Sequence, residues 1–154
     1  MNFPEELANR IQWTEGVVKS FLPEETGNQK EIMEAMNYSV TAGGKRLRPL
    51  LMHETYRMFG GTGRVIQPLM AAIEMVHTYS LVHDDLPAMD NDQYRRGKLT
   101  THAKYGHAMG VLAGDGLLNY AFETAMTAFD CGEDADEDDC RRGGRLERER
   151  RVRL

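Results

Sequence analysis

Cysteine is almost absent from this sequence, and the surroundings of its two copies argue against sites that depend on thiols. Cys131 and Cys140 lie in a polar tail with no histidine nearby, so we expect neither a zinc site nor a structural disulfide. The N-terminus MNFPEELANR lacks a basic segment followed by an apolar one, and no run approaches the roughly 20 apolar residues of a membrane span. These absences predict a cytoplasmic protein without a membrane span.

Excess positive charge is also absent. The 154 residues carry a formal net charge of −5, so a general attraction to nucleic acid or to an anionic membrane is not expected. Any anionic substrate must therefore be held by a local group of basic residues.

Strand signals are nearly missing too, because no segment alternates apolar and polar residues over a sustained length. Helical spacing recurs instead, which predicts an all-α fold. An asparagine cap, a proline in a first turn and glycine pairs mark several of the ends. The predicted helices cover residues Pro4–Phe21, Asn28–Thr41, Pro49–Phe59, Val65–Asp85 and Val111–Phe129.

The character of the chain changes after Phe129. An acidic block, CGEDADEDDC, is followed by an arginine block, RRGGRLERERRVRL, and neither has apolar residues at helical spacing. We predict one domain over residues 1–129 and a polar tail over 130–154 that is disordered or at most a frayed polar helix. A nucleic-acid-binding tail and a coding region translated out of frame are the two interpretations of these blocks.

Four aspartates and a histidine fall within ten residues in the stretch SLVHDDLPAMDND. The carboxylates of Asp84, Asp85, Asp90 and Asp92 are the hard oxygen ligands that Mg²⁺ prefers. Pro87 disfavours continued helix and so allows Asp90 to return to the side of Asp84. A solvated acidic helix end is the alternative, although acidic residues are unfavourable at a helix C-terminus.

Two basic motifs flank this cluster in the sequence. GGKRLRP places Lys45, Arg46 and Arg48 just before a predicted helix N-terminus, where free N–H groups attract phosphate. RRGK places Arg95 and Arg96 a few residues after the aspartates, and a Mg²⁺-diphosphate complex needs carboxylates and guanidinium groups together. A basic surface turn and a surface ion-pair network are the respective alternatives.

The histidines differ in their relation to the aspartates. His77 precedes Asp84 by seven residues and shares its helix face, so it is either a ligand-binding or a structural residue. His83 lies off that face, and no partner is evident for the remaining histidines, which are His53, His102 and His107.

The motifs GGKRLRP, AIEMVHTYSLVHDDLPAMDND, RRGKLTTH and VLAGDGLL, in this order and spacing, closely resemble the trans-isoprenyl diphosphate synthases of the bacterial farnesyl diphosphate synthase type. The resemblance runs to about Met126. It implies the N-terminal part of an isoprenoid-synthase helical bundle, a homodimer, and Mg²⁺-dependent condensation of isopentenyl diphosphate with dimethylallyl or geranyl diphosphate.

The resemblance also implies residue roles. Asp84 and Asp90, with Asp85 alongside, would hold the Mg²⁺ ions that bind the allylic diphosphate, and these three would be catalytic. Arg95 would contact that diphosphate. Isopentenyl diphosphate would be bound by Lys45, Arg48, His77 and Arg96.

Product length in this family is limited by bulky side chains below the aspartates, at the positions of Tyr79 and Ser80 here. A tyrosine there implies a C15 product, unless its ring only packs between helices. The family also carries a second aspartate-rich motif that is not identified here, so we expect little turnover by this chain alone. A non-catalytic subunit of a prenyl synthase and an HD-type metal phosphohydrolase, suggested by His83-Asp84, are the alternative functions.

Overall fold

The computed structural model describes residues 2–129, and this part is helical apart from one short hairpin. It confirms the all-α prediction. The predicted polar tail, 130–154, lies outside the described residues, so the domain boundary stays a prediction. The elements are α1 (Phe3–Ser20), α2 (Lys30–Thr41), α3 (Leu47–Met58), α4 (Ile66–Asp84), β1 (Tyr94–Arg95), β2 (Lys98–Leu99), α5 (Thr101–Tyr105) and α6 (His107–Met126), with 3₁₀ turns at Gly27–Gln29 and Thr127–Phe129.

The predicted glycine stops are present after α2 and α3. Gly43 has a φ of 104° and Gly60 a φ of 86°, a region that side chains with a Cβ rarely adopt. These residues end the helices because the left-handed backbone cannot continue an α-helix.

Three predicted helix starts differ from the structure. Helix α3 begins at Leu47, so Pro49 is its third residue; proline is tolerated anywhere in a first turn, where the N–H has no helical partner. Helix α6 begins at His107, four residues before the predicted start. The asparagine cap proposed for α2 is wrong, because Asn28 lies within a 3₁₀ turn and Gln29 precedes the helix.

The chain divides into two compact units, of which the first comprises residues 2–21, 46–73 and 122–129 of the described chain. Within it α1 packs on α3. The rings of Trp13 and His53 lie 4.5 Å apart, and Arg10 Nη1 lies 2.5 Å from Glu54 Oε2. Val18 on α1 is fully buried.

The second unit comprises residues 22–45 and 74–121. Its α2 packs along the hairpin and α5. The Tyr38 hydroxyl donates to the carbonyl of Leu99 at 2.8 Å, the hydroxyls of Ser39 and Thr101 are 2.7 Å apart, and the Tyr105 hydroxyl donates to Glu34 at 3.2 Å. These bonds fix the segment that follows the aspartates against α2.

Helix α4 carries the candidate site at its C-terminal end. Its fully buried side includes Met70 and Met75, whereas Val76 and Asp84 are exposed. The helix therefore buries one side and presents its last aspartate to solvent. Among residues 2–129, none of the helices has the length and apolar composition that crossing a membrane requires.

Arg46 occupies a position that the sequence assigned to an anion site, and the structure corrects that assignment. Its backbone is left-handed, with a φ of 49°, and its side chain is 1% exposed and forms an ion pair with Glu15. Burial alone raises the pKa of Glu15, but the hydrogen bonds and charges of Arg46 and Lys19 outweigh it and hold the pKa below its ordinary value of 4.5.

We predict that Glu15→Gln lowers the free energy of unfolding at pH 7 by about 2–3 kcal/mol, because it removes the carboxylate that a buried guanidinium bonds. A carboxylate with a lowered folded-state pKa stabilises the protein above its unfolded pKa, and this stabilisation is lost as the pH falls. The difference between variant and parent should therefore shrink below pH 4.5. Urea titrations at several pH values measure this. The exposed Glu5→Gln on the same helix is the control, and an equal loss in both variants would contradict the prediction.

Candidate active site

The aspartate-rich segment begins where α4 ends. After Asp84 the chain turns through Pro87, and the amide of Asp90 donates to the carbonyl of Asp84 at 2.9 Å. The carbonyl of Leu86 accepts the amide of Asn91 at 3.1 Å within the same turn. The backbone therefore returns at Pro87 in the way that the sequence predicted, and it brings positions 84 and 90 together.

The two aspartates at this turn present their carboxylates to solvent. Asp84 and Asp90 are both exposed, and no hydrogen bond or ion pair within residues 2–129 engages either side chain. Asp84 also stands at the C-terminus of a helix, where the backbone dipole is negative. Adjacent negative groups of this kind are stabilised by a cation.

Asp85 has a different environment from its neighbour. Its side chain is 5% exposed and is held by Arg95, whose Nη2 and Nε donate to Oδ1 at 2.6 Å and 2.9 Å, with Nε also 3.0 Å from Oδ2. The hydrogen bond to Asp85 raises the pKa of Arg95, against the opposing effect of burial. Asp92 Oδ2 adds a longer contact to Arg95 Nη2, at 3.7 Å.

A two-residue turn places the arginine pair. The hairpin pairs Tyr94 with Leu99 and Arg95 with Lys98, and the turn residues Arg96 and Gly97 have φ values of 54° and 77°. Two successive left-handed residues are typical of a type I′ turn. This sharp reversal turns the chain back immediately after Arg95, while Arg95 itself bonds the buried carboxylate.

The hairpin also contacts the first basic motif. Arg96 Nη1 donates to the carbonyl of Gly43, and Lys98 Nζ lies 3.4 Å from the carbonyl of Thr41. Lys45, two residues beyond Gly43, is exposed. Within the second unit the structure thus joins the motifs that carry Lys45 and Arg96. Arg48 is exposed in the first turn of α3 and belongs to the first unit.

The remaining predicted site residues lie on α4. His77 is half-buried, and its carbonyl accepts the hydroxyl of Ser80 at 2.8 Å. Tyr79 packs edge-on against the ring of His83, with 5.3 Å between the ring centroids. The position of Tyr79 is therefore fixed by a neighbour one turn closer to the aspartates.

His83 has partners that sequence reasoning missed. Its Nε2 lies 3.2 Å from the carbonyl of Val111 and 3.8 Å from Asp115 Oδ1. A Cβ at position 114 would lie 2.1 Å from the same nitrogen, so only glycine fits beneath the ring. The small residues of the motif VLAGDGLL were the available signal that α6 approaches another element closely.

The donor chemistry fits Mg²⁺. The residues that the structure describes contain no group of three His, Cys, Asp or Glu side chains arranged around one point. Mg²⁺ does not require such a group, because it commonly takes one or two protein carboxylates and completes its octahedron with water and substrate phosphates. Asp84 and Asp90 can supply two, whereas Asp85 is already committed to Arg95.

Comparison with known proteins identifies the family of the chain. The polyprenyl synthetase family matches residues 29–144 of the chain, a range that includes both basic motifs and all four aspartates. The chain belongs to the polyprenyl synthetase family. The matched range passes Phe129 by fifteen residues, whereas the motifs recognised in the sequence end at about Met126.

This chain matches only part of each of the relatives named below. Farnesyl diphosphate synthase of Geobacillus stearothermophilus is 59% identical over 93 residues, which are 60% of this chain and 31% of that protein. Geranylgeranyl diphosphate synthase of Cyanophora paradoxa is 48% identical over 121 residues, 79% of this chain and 40% of that protein. A crystal structure of geranyltranstransferase from Thermotoga maritima superposes with a TM-score of 0.73 at 37% identity and covers 81% of this chain and 46% of that one. The polyprenyl synthetase region described here thus spans less than half of these proteins.

The two adjacent aspartates provide a matched test of this geometry. We predict that Asp85→Asn lowers the free energy of unfolding by about 1–3 kcal/mol, because it weakens charge-assisted hydrogen bonds at a buried carboxylate. Asp84→Asn should change it by less than about 0.5 kcal/mol, since an exposed charge without a partner contributes little. Chemical denaturation measures both values. Equal losses at the two positions would contradict the placement of Asp85 against Arg95.

Proposed function

We propose that this chain is the N-terminal part of a prenyltransferase that condenses isopentenyl diphosphate with an allylic diphosphate and releases pyrophosphate. The observation that carries the proposal is the turn at Pro87, where the amide of Asp90 bonds the carbonyl of Asp84 and both side chains are exposed, while Arg95 binds the adjacent Asp85. Carboxylates for a divalent cation and a guanidinium for phosphate oxygens form a site for a metal-bound diphosphate. The family match supports the same chemistry.

The residues of this site have two proposed roles, metal binding and diphosphate binding. Asp84 and Asp90 are the proposed ligands of Mg²⁺, which when bound neutralises charge that accumulates on a departing pyrophosphate. Asp85 orients Arg95, and Arg95 is the proposed donor to the allylic diphosphate. A guanidinium held in advance needs no reorganisation when charge develops on the leaving group.

A second diphosphate requires its own basic residues. We assign isopentenyl diphosphate to Lys45, Arg48, His77 and Arg96, as the resemblance implies. Support comes from the exposure of Lys45, Arg48 and Arg96 and from the bond between Arg96 and Gly43. With its diphosphate held there, the substrate's double bond can attack the allylic carbon before a proton is lost.

The proposed product is farnesyl diphosphate, with chain length controlled by Tyr79 and Ser80. The relatives include proteins named for farnesyl and for geranylgeranyl products, so the family alone does not select a length. The Tyr79 ring is held against His83, which would make it a fixed obstacle.

We further propose that the protein is a cytoplasmic homodimer. Its substrates are water-soluble diphosphates, which a cytoplasmic enzyme can reach directly. Helix α6 leaves Phe122 and Met126 exposed, by 65% and 62%, and they lie one turn apart on the same side of the helix. Contiguous apolar surface of this kind is typical of association sites.

Binding of geranyl diphosphate tests the proposal directly. We predict heat of binding in isothermal titration calorimetry with Mg²⁺ and its loss when EDTA replaces the metal. Asp84→Asn combined with Asp90→Asn should weaken binding at least tenfold, since both ligands are lost. The charge-matched control combines Glu5→Gln on α1 with Glu31→Gln on α2, both at exposed positions.

Metal-independent binding, or an unaffected double variant, would contradict the proposed site. We expect little synthesis of farnesyl diphosphate from labelled isopentenyl and geranyl diphosphates by this chain alone. Rapid turnover by the purified 154-residue chain would show that this expectation is wrong.

Product length is testable in a chimera in which residues 2–129 replace the corresponding part of the Geobacillus stearothermophilus relative. Tyr79→Ala should shift the main product beyond C15, because removing the ring opens space below the aspartates. Tyr79→Phe keeps the ring and should leave the product unchanged. Chromatography of the dephosphorylated alcohols measures the length. An unchanged product in the alanine variant would remove Tyr79 from chain-length control.

A further inference from the structure

His102 occupies a buried position for which the sequence offered no partner. It lies in the first turn of α5 and is 7% exposed. Both ring nitrogens have polar neighbours: Nδ1 is 3.1 Å from the hydroxyl of Thr100, and Nε2 is 3.3 Å from Nε2 of Gln93. The imidazole thus bridges the two ends of the hairpin segment that carries Arg95.

The Thr100 contact fixes the proton on one nitrogen. The Thr100 hydroxyl donates its single proton to the carbonyl of Asp92 at 2.8 Å. Toward His102 the same oxygen can therefore only accept, so Nδ1 must carry a proton. Two hydrogen bonds in series therefore connect the imidazole, the Thr100 hydroxyl and the backbone of Asp92.

The Gln93 contact fixes the state of the other nitrogen. With the Gln93 amide in this orientation its nitrogen can only donate, and His102 Nε2 is then the unprotonated acceptor. The two contacts agree on one species, the neutral imidazole with its proton on Nδ1. The amide of Thr100 also donates to the carbonyl of Gln93 at 3.0 Å. This backbone bond joins the two residues that flank the hairpin.

Close packing against α6 holds the base of the His102 side chain. A Cβ at position 110 on α6 would lie 2.9 Å from the Cβ of His102 and 3.0 Å from Cδ2 of Leu86. Leu86 follows Asp85 directly, and its carbonyl accepts the amide of Asn91. The histidine and the aspartate turn therefore rest on the same point of α6.

We propose that His102 is a positioning residue of the diphosphate site, acting as a neutral Nδ1–H imidazole that pins Asp92, Gln93 and Thr100. By fixing both ends of the hairpin segment, it keeps Arg95 against Asp85 and oriented toward a metal-bound diphosphate. The part that concerns diphosphate rests on the proposed function above. The tautomer of His102 and its effect on Arg95 do not depend on that proposed function.

The tautomer is testable by nitrogen-15 NMR of the full chain with labelled histidine. Long-range ¹H–¹⁵N spectra distinguish a protonated from an unprotonated ring nitrogen. For His102 we expect the proton on Nδ1 alone. For His83 we expect a proton on Nε2, because that nitrogen faces the carbonyl of Val111, so the same spectrum contains an opposite reference. A His102 proton on Nε2, alone or together with Nδ1, would overturn the assignment.

The positioning role is tested by His102→Phe, which keeps a ring of similar size and loses both bonds. We expect the Nε–H signal of Arg95 to shift and its exchange with water to accelerate at least tenfold. Mg²⁺-dependent binding of geranyl diphosphate should weaken about tenfold, a typical effect of removing a residue that orients a ligating group. His102→Asn, which can still donate to Thr100, should recover most of both losses.

Two further variants separate positioning from general destabilisation. Thr100→Val breaks the same chain, so combining it with His102→Phe should add little to either single effect. Thr14→Val removes a comparable buried hydroxyl, which bonds the carbonyl of Arg10 at 2.8 Å, and should lower stability while leaving Arg95 and the affinity unchanged.

An unaltered Arg95 signal in His102→Phe would overturn the proposal. If the parent chain itself fails to bind geranyl diphosphate, the proposed function fails, and the Arg95 signal still decides whether His102 positions that residue.

Discussion

The ion pair between Asp85 and Arg95 is the contact on which the arrangement of this site depends. It forms inside the protein, with the Asp85 side chain 5% exposed, so its partners cannot separate without leaving a charge poorly solvated. Because Asp85 directly follows α4 and Arg95 lies in β1, this one contact fixes the connection of nine residues between them. Asp84 and Asp90 are left on the outside of that connection, which explains how one acidic cluster can contain both a structural anion and candidate metal ligands.

The same contact explains how basic and acidic groups coexist here without neutralising each other completely. Arg95 forms an ion pair with Asp85. The type I′ turn directs Arg96 away from the aspartates, where it bonds the carbonyl of Gly43. The exposed carboxylates of Asp84 and Asp90 remain unmatched, and Asp84 stands at the end of a helix, where the dipole already disfavours it. The divalent cation and diphosphate proposed above would balance these charges.

Much of this was predictable from local sequence. Glycines ended helices, Pro87 turned the chain, and the motif order indicated the family, because each depends on residues close together in the chain. Arg46 was grouped with Lys45 and Arg48 in a basic motif suited to an anion, but it is buried against Glu15, which is 31 residues away. The anchoring of Asp85, the contact of His83 with Gly114 and the bonds of His102 also depend on side chains from separate elements. Such contacts have no periodic signature, and only packing decides which of two adjacent aspartates turns inward.

A crystal structure of the chain with Mg²⁺ and inorganic pyrophosphate would test the central claim most directly. Our account predicts a metal ion bound by oxygens of Asp84 and Asp90 at about 2.1 Å, with Asp85 still bonded to Arg95 and the guanidinium donating to pyrophosphate. A metal ion held by Asp85 with Arg95 displaced, or pyrophosphate bound away from the aspartates, would contradict it.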